Sequence, residues 1–129
     1  MARPVKVPRT VTETVERAVA RYERGLAMKL GDRRVDADVR AQVEHYRQAI
    51  LRDAMLVERV REILKEAEMP PFLWPFYYAF ARRLAKRKRD HDGDTLLFLA
   101  EQDRQAWLAR GFDPSVLDRV YEAVMGEGR

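Results

Sequence analysis

Apolar side chains recur along this chain at steps of three and four residues, the period of one face of an α-helix. Val15, Val19, Tyr22 and Leu26 make the first run, with Thr10 and Glu13 at capping-box spacing before it and Gly31 as a C-terminal cap. From Asp36 to Glu68 there is neither Gly nor Pro, and Val39, Val43, Tyr46, Ile50, Asp53, Val57, Val60, Leu64 and Ala67 follow a 4-3 spacing. That is a heptad seam on a helix of about thirty residues, about 50 Å long. Ala49, Leu56 and Ile63 widen the stripe on one flank.

Pro70 and Pro71 end the long helix, and Pro75 suits the first turn of a third. Phe76, Phe80 and Leu84 mark its stripe, with Leu73 and Tyr77 beside it. Asp94 or Thr95 can cap a fourth helix carrying Leu96, Leu99, Ala100 and Trp107 as far as Gly111. Phe112, Asp113 and Pro114 then supply a staple residue, an N-cap and an N1 proline for a fifth, whose face is Leu117, Val120, Tyr121 and Val124. The pattern predicts an all-α fold, a four-to-five-helix bundle built on one long central helix. One domain over residues 1–129 is expected, with a basic extended arm at 1–9 and a loose tail at 126–129.

The seam changes what is expected of partners. A helix this long outruns any single partner helix in so small a chain, so Val39, Val43, Tyr46, Ile50, Asp53, Val57, Val60 and Leu64 are read as a self-association seam. Asp53 is its only charged member. A buried carboxylate needs a partner, so Asp53 is expected to pair with an arginine of another helix, with a register-setting role as the alternative.

Charge sharpens the picture further. The net charge is +4, but Met69 to Arg89 carries six cations and no carboxylate, and the segment after it is predominantly acidic. Phe72, Trp74, Phe76, Tyr77, Tyr78 and Phe80 precede the cations and hold half of the chain's aromatic rings. One helix cannot turn all six inward, and the four-residue spacing of Trp74 and Tyr78 marks them as the surface pair. Together with Arg82, Arg83, Lys86, Arg87, Lys88 and Arg89 they form a candidate surface for a protein partner or a nucleic acid. After Ala85 no apolar residue occurs before Leu96, so the turn Lys86 to Arg89 is expected to project into water. Arg3, Lys6 and Arg9, interleaved with Pro4 and Pro8, suit an extended arm that could lie along a polyanion.

Chemistry is sparse. Without cysteine there is no disulfide, thiolate nucleophile or cysteine-held metal, and Ser115 is the sole serine. His45 and His91 fall on different elements, and no zinc or phosphate-loop motif occurs, so no catalytic residue and no cofactor is expected. Asp90, Asp92, Asp94 and Glu101 stand at positions one, three, five and twelve of a calcium-loop pattern, but Thr95 replaces the turn glycine. The amino terminus lacks a signal-type apolar core, and the longest uncharged run, Met69 to Ala81, falls short of the roughly 20 residues that span a bilayer. A soluble, cytoplasmic protein with no membrane span is expected. The sequence supports a non-enzymatic binding or assembly module, self-associating or part of a larger complex. The alternatives are sequence-independent nucleic-acid binding by the basic end of the third helix, and weak calcium binding at residues 90–101.

Overall fold

In the computed structural model, which describes residues 7–31 and 36–126, the apolar periods become α-helices, with no strand among those residues. Helix α1 runs Arg9–Leu30, α2 Asp36–Glu66, α3 Trp74–Asp90, α4 Gly93–Ala109 and α5 Pro114–Met125, with a 3₁₀ turn at Pro71–Leu73 before α3. The fold is all-α. No described helix is long and apolar enough to cross a membrane. Arg3 and Lys6 of the expected arm, and residues 127–129 of the expected tail, lie outside the described residues.

The contacts gather into two compact units, Met1–Met55 and Leu56–Arg129, and α2 contributes to both. In the first unit α1 and the beginning of α2 bury Val11, Val15, Val19, Val39 and Val43. Tyr22, Leu26, Tyr46, Ile50 and Ala54 flank that core, and the Tyr22 and Tyr46 rings stack at 4.2 Å. Arg47 of α2 reaches Glu16 of α1 at 3.1 Å. The second unit has the larger core: Val60 and Leu64 from α2, Tyr77, Phe80, Ala81 and Leu84 from α3, Ala100 from α4, and Val116, Leu117, Val120 and Val124 from α5.

Several local expectations change on folding. Helix α1 starts at Arg9 behind Pro8, without a side-chain cap, and Glu13 pairs with Arg9 at 3.0 Å instead of closing a capping box with Thr10. The seam also breaks at its polar member, since Asp53 is exposed and Ala54 packs on the first core in its place. The physical cause is the α-helical period: a straight helix steps 3.6 residues per turn, so a strict 3.5-residue stripe slips around its surface. Val39 and Val43 at one end of the seam, and Val60 and Leu64 at the other, are covered within their own units.

Helix ends follow chemistry the sequence shows only in part. Asp113 accepts from the Ser115 and Val116 amides at 2.9 and 3.3 Å, the N-cap expected ahead of Pro114. Gly111, at φ 89°, closes α4, with its amide donating to Leu108 O and that of Phe112 to Trp107 O. The same arrangement ends α2, where the Glu68 amide bonds Lys65 O and the Met69 amide bonds Leu64 O, with Glu68 rather than a glycine at φ 54°.

Candidate binding surface

Helix α3 sets out the surface, because its cations divide by the direction in which the helix points them. At 100° per residue Arg87 and Lys88 fall toward α4 and α5, while Arg82, Lys86 and Arg89 fall on the outward side, all three exposed. Arg87 makes a two-armed bond to Asp103 of α4, Nε to Oδ2 at 3.0 Å and Nη2 to Oδ1 at 3.3 Å. Asp103 is only 5% exposed, and Arg83 also approaches it, at 3.5 Å. The hydrogen bond to Asp103 holds the Arg87 guanidinium above its ordinary pKa. Lys88 Nζ donates to Val124 O at 2.9 Å, satisfying a carbonyl in the last turn of α5.

The turn Lys86 to Arg89 is therefore not wet on all sides, as its lack of apolar neighbours suggested. Arg87 and Lys88 are half-buried, and the acidic segment after α3 supplies their partners. The cations on the outward side of this helix are Arg82, Lys86 and Arg89, while Arg83 turns toward Asp103.

The aromatic half of the segment is rearranged as well. Trp74 and Tyr78 are half-buried, both packed against the second core. The Trp74 indole donates to Met69 O at 2.8 Å, pinning the end of α2, and burial pushes the Tyr78 phenol above its usual pKa. Within this segment the exposed rings are Phe72, 75% exposed in the 3₁₀ turn, and Phe76, 41% exposed in the first turn of α3. Phe76 tilts against Phe112 at 5.3 Å, and the Arg110 guanidinium lies over Phe112 and Trp107. Trp107 Nε1 donates to Phe76 O at 3.0 Å, and the Tyr77 hydroxyl accepts from the Asp113 amide at 3.0 Å.

The interior of this aromatic platform is thus hydrogen-bonded in place, and Phe72 and Phe76 stand at its rim. The signal for Phe72 is its position between Pro71 and Pro75, before the helical period of α3 takes hold. Phe76 fits the apolar stripe of Phe80 and Leu84, and only the end position of the first turn leaves it half open.

The acidic turn takes a different form from a calcium loop. Asp90 ends α3, Asp92 sits just before α4, and Asp94 and Glu101 lie within α4. Such a loop needs its ligands wrapped around a non-helical segment, whereas Glu101 is two turns into a helix, bonded to Arg104 and Gln105. Among the described residues no three His, Asp or Glu side chains gather as a metal site. Arg9, as the first residue of α1, is paired with Glu13.

No protein-family model matches the chain, and neither a curated protein nor a solved structure matches it.

Proposed function

We propose that the chain is a binding module that docks a protein partner at the start of α3, on the exposed rings of Phe72 and Phe76. The observation that carries this reading is that two exposed phenylalanines, Phe72 and Phe76, stand together at the start of α3, whereas the unit's other exposed ring, Phe98, 63% exposed, lies within α4. Exposed rings mounted on a rigid base suit the central anchors of an interface. Arg82, Lys86 and Arg89 lie on an adjoining side of α3, Arg82 about 120° around the helix from Phe76, and no carboxylate intervenes, so a partner seated on the rings meets these cations at its edge with acidic residues.

The test is a native mass measurement of the complex recovered from the source organism, with the wild-type chain and with Phe72→Ala. The wild type is expected to carry a stoichiometric protein, and the variant to lose it while keeping its far-UV spectrum. A wild type recovered alone, or a partner retained by Phe72→Ala, sinks the reading. A second reading, a nucleic acid held by the same cations of α3, is favoured by the absence of any carboxylate between Met69 and Arg89. Its mark would be a complex carrying nucleic acid that Arg82→Gln/Lys86→Gln/Arg89→Gln releases.

A further inference from the structure

Helix α1 repeats the cationic spacing of α3 on the other unit. Arg17, Arg21 and Arg24 are all exposed and stand at i, i+4 and i+7, the spacing also of Arg82, Lys86 and Arg89. On an α-helix that spacing confines three side chains to an arc of about 60° and a length of about 10 Å. No described carboxylate of α1 forms an ion pair with this ridge, although Glu13 stands one turn before Arg17. Glu13 is taken by Arg9 and Glu16 by Arg47 of α2, which leaves Glu23 as the third acid of the helix. Among the described residues Arg17, Arg21 and Arg24 make no ion pair.

Three like charges held one turn apart repel one another, so folding alone gives no reason to place them there. The ridge also differs from the α3 surface in lacking aromatic anchors. Beside it stand Ala20, Gly25 and, one turn beyond Arg24, the single flexible side chain of Met28, 87% exposed. Protein interfaces centre on buried apolar anchors, whereas a phosphate backbone is held by cations alone. We infer that Arg17, Arg21 and Arg24 form a nucleic-acid-binding ridge that holds backbone phosphates without reading base sequence. The inference rests on α1 and is independent of the protein-docking reading for α3.

The experiment titrates the full chain into a labelled single strand of about 20 nucleotides and the matching duplex, by anisotropy, from about 50 to about 200 mM salt. The wild type is expected to bind both, with affinity falling steeply as salt rises and little change between unrelated sequences. Arg17→Gln/Arg21→Gln/Arg24→Gln is expected to reduce the slope of log affinity against log salt by about 2 on the single strand, at about 0.7 per phosphate contact. The charge-preserving triple Arg→Lys variant keeps most of the binding, which separates lost charge from lost fold. The corresponding glutamine triple at Arg82, Lys86 and Arg89 keeps the α1 contribution. No binding at about 50 mM salt overturns the inference. So does an unchanged slope in the α1 triple variant, or equal affinity for polyglutamate of matched charge.

Discussion

Glu68 holds a φ of 54°, a backbone conformation in which a side chain with a Cβ is crowded and glycine is not. It does so because the end of α2 has to turn within one residue, so that the amides of Glu68 and Met69 can satisfy Lys65 O and Leu64 O. Met69 then presents the carbonyl that the Trp74 indole takes. Glu68→Gly relieves the crowding at an exposed position and is expected to raise stability by about 0.5–1 kcal/mol, read as a shift in urea midpoint at unchanged slope. A loss of stability would show that the glutamate side chain contributes more than its backbone costs. The residue scale also separates the two tryptophans from the exposed phenylalanines. Each indole N–H reaches a backbone carbonyl, so both rings serve as internal fasteners, while Phe72 has no polar atom to satisfy and stays at the surface.

At the scale of elements, one carboxylate fastens α3 to α4. Asp103 is the buried charged residue among those described, and its bond to Arg87 crosses the helical hairpin whose connection is only His91 and Asp92. A charge-assisted pair of this kind contributes about 1.5–3 kcal/mol, so Asp103→Ala is expected to lower stability by about that amount in urea unfolding. A change of a few tenths of a kcal/mol would mean that water replaces Asp103 around the half-exposed Arg87. The α3 segment shows what was legible. Its apolar period correctly placed Phe80 and Leu84 in the core, and the acid-rich segment that follows it supplies Asp103 to Arg87. Which cations it would take was not legible. The direction of Arg87 and Lys88 depends on where α4 and α5 lie around α3, and no spacing within α3 encodes that.

Across the whole molecule the two units rest on unequal cores. The first buries five valines, while the second fully buries Tyr77, Phe80, Leu64, Leu84 and Leu117. Apolar stabilisation scales with the area removed from water, so the first unit has less holding it. Native-state hydrogen exchange is expected to be faster by about tenfold or more at Val15 and Val19 than at Phe80, Leu84 and Val120. Equal protection in the two units would show that they unfold as one. By itself the sequence determined the helices, their approximate ends, the Asp113 cap and the chain's uneven charge, because periodicity, capping and composition are local properties. Only the tertiary structure decided which aromatics stay exposed, which cations are consumed inside the second unit, and that Asp53 leaves the stripe. Those outcomes depend on which helices meet and at what angle, so a side chain's neighbours across the core decide its role.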